Sequence, residues 1–97
     1  MKIIFDGKKN EKLKKERSVS FEMVIDKMKK GEILLDFPNK SSYPNQRVMV
    51  VELNNYPYCV PYLQDDEKIV LKTIYPSRKM KRLLEKKRGI KNDRAED

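Results

Sequence analysis

The residues best suited to chemistry in this chain are cations gathered at one junction, Pro76-Ser77-Arg78-Lys79-Met80-Lys81-Arg82. An apolar run, Ile69-Val70-Leu71, precedes it. The pattern predicts a strand running into a helix whose first turn carries guanidinium and ammonium groups. A guanidinium stays charged at every accessible pH, and its planar fork matches two phosphate oxygens at once. Between Ser77 and Arg94 nine basic residues stand against two acidic ones, a local charge of +7. Residues 1–17 carry +4, residues 18–76 sum to −1 and the last three bring −2, so the net +8 belongs to the two ends. A basic surface on a nearly neutral body is the electrostatic footprint of a protein that meets polyphosphate.

Missing residue types narrow the chemistry. The chain has no histidine and one cysteine, Cys59. The usual zinc sites are thereby excluded, as are Ser-His-Asp and Cys-His nucleophile systems. Its three glycines, Gly7, Gly31 and Gly89, form no phosphate-binding loop. What remains is Lys, Arg, Tyr, Ser, Asp and Glu, and neither a metal nor a cofactor is expected. The lone cysteine cannot close an internal disulfide and reads as a buried small hydrophobe in a reducing, cytoplasmic protein.

The elements that must position these groups fit one domain over residues 1–91, with 92–97 a frayed tail. The N-terminus has no long apolar stretch and reads as carrying no secretory signal. The longest uninterrupted apolar run, Val48 to Val51, is too short to span a bilayer. Lys2 to Phe5 reads as a strand. Lys8 to Arg17 reads as a polar helix with Leu13 as its apolar anchor. Ser20 can cap a second helix, with Glu22 in its first turn and Phe21, Val24, Ile25 and Met28 on one stripe, stopped by Gly31. Ile33 to Phe37 predicts a short strand and Lys40 to Gln46 a loop. Arg47–Leu53 and Tyr56–Leu63 predict a hairpin about Asn54-Asn55. Pro57 and Pro61 lack the amide donor, which points to an edge or bulged strand, or to ladder bonds that pass them by. Ile69–Tyr75 is a further strand, and in the basic helix after Ser77 the residues Met80, Leu83, Leu84 and Lys87 share a side. The expected fold is α+β: an antiparallel sheet of about four strands with two N-terminal helices and a basic C-terminal helix, the helices on one face.

The two charged ends also carry a resemblance. Phe5-Asp6-x-x-Lys9-Asn10, then Leu13-x-Lys15, then Val19-Ser20-Phe21-Glu22 is similar to the opening signature of the BrnT family of toxins, members of the wider RelE-like fold of small ribonucleases. Arg47 matches a basic residue of that family after a polar loop. Pro76-Ser77-Arg78-Lys79 resembles its junction into the last helix. Glu16-Arg17-Ser18 stands where the family has Lys-His-Gly. The resemblance implies an endoribonuclease that arrests translation by cutting mRNA, free or on the ribosome. It also implies a partner, a small ribbon-helix-helix antitoxin.

Metal-free RNA cleavage needs a base for the 2′-hydroxyl proton, an acid for the leaving 5′-oxygen and cations for the phosphorane charge. Arg78 and Arg47 are the candidates for phosphate and transition-state charge, with Lys72 and Lys79 beside them as further catalytic candidates. Each has a plainer reading. Arg78 can be a solvated helix-start charge or a partner contact, Arg47 can pair with Asp36 or Glu52, and Lys72 can point to solvent. Arg82, one turn from Arg78, extends the strip. Tyr75 can stack on a base, donate a proton or fill core. Lys9, Lys15 and Arg17 are candidate RNA contacts on a helix whose six basic residues can equally be a solvated face or a dock for an acidic partner. Glu52 and Glu85 are the plausible carboxylate bases. Competing functions are a non-catalytic RNA-binding module and a protein-interaction domain with a basic face.

Overall fold

The computed structural model describes residues 1–39 and 45–87. The expected tail, the stop at Gly89 and most of the expected 40–46 loop lie outside the described residues. In chain order the elements are β1 (Lys2–Ile4), α1 (Gly7–Arg17), α2 (Phe21–Lys29), β2 (Leu35–Pro38), β3 (Gln46–Leu53), β4 (Tyr56–Gln64), β5 (Lys68–Leu71), β6 (Tyr75–Pro76) and α3 (Arg78–Lys87).

The class is α+β, as expected, but the sheet is larger than expected and mixed. Six strands run in the order β1-β5-β4-β3-β2, with β6 on β4. β1 lies parallel to β5, Ile3 opposite Ile69, and every other pairing is antiparallel. The parallel edge follows from topology. Helices α1 and α2 intervene between β1 and the rest, so the first strand returns by a crossover that a tight turn could not make.

The β3–β4 hairpin holds the centre. Asn54 and Asn55 have φ of 53° and 64°, the left-handed pair that a two-residue turn needs to match strand twist. Both prolines sit in β4, which is an inner strand rather than an edge. Pro57 and Pro61 turn their carbonyls away from β3, to Ser77 N–H (3.2 Å) and Lys72 N–H (2.9 Å). Their missing N–H groups point the same way, so the β3 ladder is undisturbed. The opposite strand bulges beside Pro61. Between the pairs Tyr62–Leu71 and Cys59–Tyr75, β4 has residues 60 and 61 and its neighbour has 72, 73 and 74.

The expectation of helices on one face is corrected. Val48 to Val51 is apolar throughout because β3 is buried on both faces. Met49, Val51, Leu53, Val60 and Tyr62 pack with Leu13 of α1 and with Phe21 and Val24 of α2. Val48, Val50 and Cys59 face the other way, against Met80 and Leu84 of α3. Leu83, expected on the core side of α3, is 42% exposed. The sheet therefore separates α1 and α2 from α3.

Local chemistry explains the helices. Asp6 caps α1 by accepting from the Lys8 and Lys9 amides, and Ser20 caps α2 by accepting from Met23. Gly31, at φ 69°, ends α2, with Gly31 N–H on Met28 O (3.2 Å) and Glu32 N–H on Lys27 O (2.9 Å). That is the reciprocal pair of bonds a left-handed glycine permits. Asn10, 3% exposed, ties the two helices together. Its Oδ1 accepts from the buried Phe21 amide and its Nδ2 donates to Glu22 Oε1, both at 2.8 Å. The Phe5 and Phe21 rings stack above this clamp at 5.0 Å. Residues 5, 6, 10, 20, 21 and 22 thus hold helix ends and helix packing.

Two stability changes are expected. Asn10→Ala leaves the Phe21 N–H buried without an acceptor and should cost about 1–3 kcal/mol, read as a lower urea midpoint at constant m-value. Ser18 ends α1 in the left-handed region at φ 57°. Ser18→Gly should therefore raise stability by about 0.5–1 kcal/mol despite the looser unfolded chain.

Candidate nucleic-acid interface

The candidate residues divide between the two sides of the sheet. Tyr75, Arg78, Lys79 and Arg82 fall on the α3 side, and Lys72 opens the bulge between β5 and β6. Lys72 donates its amide to Pro61 O at 2.9 Å and is exposed. Tyr75 sits opposite Cys59 on the strand pair and is 39% exposed. Ser77 caps α3, its Oγ accepting from Met80 N–H at 3.1 Å. Arg78, Lys79 and Arg82 follow, all exposed. Their side chains make no hydrogen bond, ion pair or ring contact among the described residues. Lys81, one position from Arg82, is engaged instead over the Tyr56 ring at 5.4 Å.

The phenol of Tyr75 is pushed up by burial first, and by Cys59 beside it, so it stays protonated near neutrality. It can donate or stack but cannot serve as a base there. Burial likewise pushes the Cys59 thiol up, against opposing hydrogen bonds from Ser77 and Tyr75. With 4% exposure this cysteine is the core hydrophobe that its sequence context suggested. The two carboxylates considered as bases, Glu52 and Glu85, line one depression of about 120 Å³ between α3 and the hairpin tip, together with Lys81 and Leu84. Glu85 also shares a helical stripe with Arg78 and Arg82 through its i+7 and i+3 spacing.

Arg47 is not part of this group. It lies on the α1–α2 side, in register with Tyr62 and beside the pairing of Asp36 with Met49. Its Nε donates to Asp36 Oδ1 at 3.0 Å, and the Tyr62 hydroxyl donates to Asp36 Oδ2 at 2.6 Å. Of the two partners weighed from sequence, Asp36 is the one found; Glu52 is five residues along the same strand. The hydrogen bond to Asp36 first, then that to Tyr62, holds the Arg47 guanidinium above its usual range. Its charge is matched by a carboxylate, so the trio offers a phosphate no net positive charge.

On α1, Lys9 and Lys15 are exposed, as an RNA contact requires. Arg17 is used differently: Nη1 donates to the Ile74 carbonyl, within the bulge where that oxygen lacks a ladder partner. A guanidinium reaching 57 residues along the chain could not be read from local pattern.

No protein-family model matches the chain, and no curated protein or solved structure matches it.

Burial first, then the hydrogen bond to Asp36, pushes the Tyr62 phenol up to about 12. A phenol raised in the folded state stabilises fully below its unfolded pKa near 10, and that stability is lost as pH climbs from there through 12. The stability advantage of the parent over Tyr62→Phe should therefore shrink across that window. In the variant a tyrosinate absorbance titration should lose the phenol that ionises at about 12, while the raised Tyr75 phenol stays in both proteins.

Proposed function

We propose that this chain is the toxin of a bacterial toxin–antitoxin pair, of RelE-like type, an endoribonuclease that needs no cofactor and is neutralised by a small ribbon-helix-helix antitoxin. One observation carries the RNA-directed part: the exposed Tyr75 leads directly into three exposed cations without protein partners, Arg78, Lys79 and Arg82. A helix start with free guanidinium groups beside an accessible ring offers phosphate contact and base stacking together. The resemblance of Pro76-Ser77-Arg78-Lys79 to a toxin junction supplies the choice of toxin over generic binder.

In this reading Arg78 and Lys79 hold the scissile phosphate and Arg82 its neighbour. Tyr75 stacks on an adjoining base. Glu85 takes the 2′-hydroxyl proton, the 2′-oxygen attacks phosphorus, and the 5′-oxygen leaves with a proton from Lys79 or solvent. The products are a 2′,3′-cyclic phosphate and a 5′-hydroxyl. A second reading, RNA binding without cleavage, is favoured by the position of Arg47, which is matched by Asp36 on the other side of the sheet and leaves one fewer cation for the phosphorane.

The test is incubation of the chain with a labelled structured RNA, alone and with ribosomes, in buffer without added transition metals. The parent should yield fragments ending in cyclic phosphate. Arg78→Ala/Lys79→Ala should lose at least ~100-fold of that activity, as removal of transition-state cations does. Glu85→Gln should lose cleavage while keeping affinity. RNA left intact in both settings under conditions of evident binding would replace the nuclease with the second reading.

A further inference from the structure

Helix α1, like α3, carries cations in its first turn. Helix dipoles favour acids in the first turn and disfavour cations there. Helix α2 obeys, with Glu22. Helices α1 and α3 have no acid in the first turn, and instead carry Lys8 and Lys9 in one and Arg78 and Lys79 in the other. In α1 the Asp6 carboxylate at the N-cap offsets these cations, whereas α3 starts at Ser77 with no acid. The two helices lie on opposite sides of the sheet.

The packing of α1 selects which of its cations are available. Leu13 and Asn10 are buried, Arg17 is held by the Ile74 carbonyl, and Lys14 pairs with Glu11 at 3.1 Å. Lys8, Lys12 and Lys15 remain, spaced i, i+4 and i+7 on the stripe facing away from the core, all exposed and with side chains that have no partner among the described residues. Successive rises of about 6 and 4.5 Å place three ammonium groups in a row some 10 Å long. Lys9 lies on the flank of this row. The stripe has no apolar residue: its neighbours are Lys9, Glu11 and Glu16. A protein-binding face needs apolar or aromatic anchors, and lysine is depleted in such faces. A row of point charges without anchors suits a phosphate backbone, which asks only for charge at intervals.

We infer that Lys8, Lys12 and Lys15 form a second nucleic-acid contact, so that one molecule holds two RNA segments at once, one on α3 and one on α1, with the sheet between them. The inference rests on the α3 face binding RNA as proposed above. The two helix layers are about 20 Å apart across the sheet, so a short single strand cannot lie on both.

The experiment uses a short single-stranded RNA fixed to beads and a second, non-complementary, fluorescent RNA in solution, in conditions where cleavage is blocked by 2′-O-methyl substitution. The parent should carry the fluorescent strand to the beads. Lys8→Gln/Lys12→Gln/Lys15→Gln should still bind the fixed RNA through α3 but lose at least tenfold of the bridged signal. Glutamine at exposed helix positions keeps the helix, which far-UV circular dichroism verifies. The salt slope of RNA affinity for strands long enough to reach both faces should fall by about 2, at ~0.7 per lost phosphate contact. Arg78→Gln/Lys79→Gln/Arg82→Gln should lose bridging by the complementary route. Bridging, affinity and slope all unchanged in the α1 variant would overturn the inference and leave α1 to an acidic protein partner. Bridging that survives in the α1 variant alone would assign it to self-association and overturn it equally. If the α3 variant binds and bridges like the parent, the α3 placement fails instead, a result the α1 variant cannot produce.

Discussion

The ladder between β3 and β4 is the interaction on which the other elements depend. It runs unbroken from Gln46 opposite Leu63 to Leu53 opposite Tyr56, closed by two asparagines in the left-handed region. A slip of one residue would exchange the two faces of both strands. Here each face is apolar, so each needs its own cover, and the chain supplies α1 and α2 to one and α3 to the other. The prolines of β4 are tolerated because their missing donors face away from β3, Pro61 beside the bulge and Pro57 past the β6 pairs. The bulge frees the Ile74 carbonyl, and Arg17 from the end of α1 satisfies it. One irregularity in the sheet thus gives the end of α1 a hydrogen bond across the core.

Covering both faces of the sheet decides where charge can go. Helices α1 and α3 bury little of themselves; α3 has no fully buried residue and α1 only Asn10 and Leu13. Their lysines and arginines are left on outer surfaces, pointing to opposite sides. The charge excess of the two chain ends therefore becomes two separate basic surfaces, with a neutral sheet layer between. In α1 the Asp6 carboxylate at the N-cap offsets the first-turn cations. Cations in the first turn of α3 oppose the dipole, a cost of order 0.3–1 kcal/mol each at low salt. Binding an anion would relieve it.

Much of the fold could be read locally. The cap at Ser20, the stop at Gly31 and the turn at Asn54-Asn55 all rest on short-range geometry, and the structure uses each as its residue type suggests. The Asp6 cap of α1 emerged only in the structure. The strand count and the parallel edge were not legible. β1 and β5 are brought together by a crossover of more than sixty residues, and β6 is a two-residue bridge too short to show a period. The one-face expectation failed because Met80 and Leu84 make a narrow stripe that fits either side of a sheet equally well. The continuous apolar run at Val48–Val51 was the available sign that both faces needed cover.

By itself, the sequence determined the sign and placement of charge, the exclusion of Ser-His-Asp and Cys-His systems, the helices and the central hairpin, because each depends on residue type and on spacing within a few positions. Only the tertiary structure decided which cations remain free. Arg47 is matched by Asp36 across β2 and β3, Arg17 is bound to a carbonyl 57 residues away, and Arg78, Lys79 and Arg82 have no partner among the described residues. The physical reason is that a side chain's partner is set by strand register and helix placement, both long-range properties, whereas its charge is a property of the residue alone.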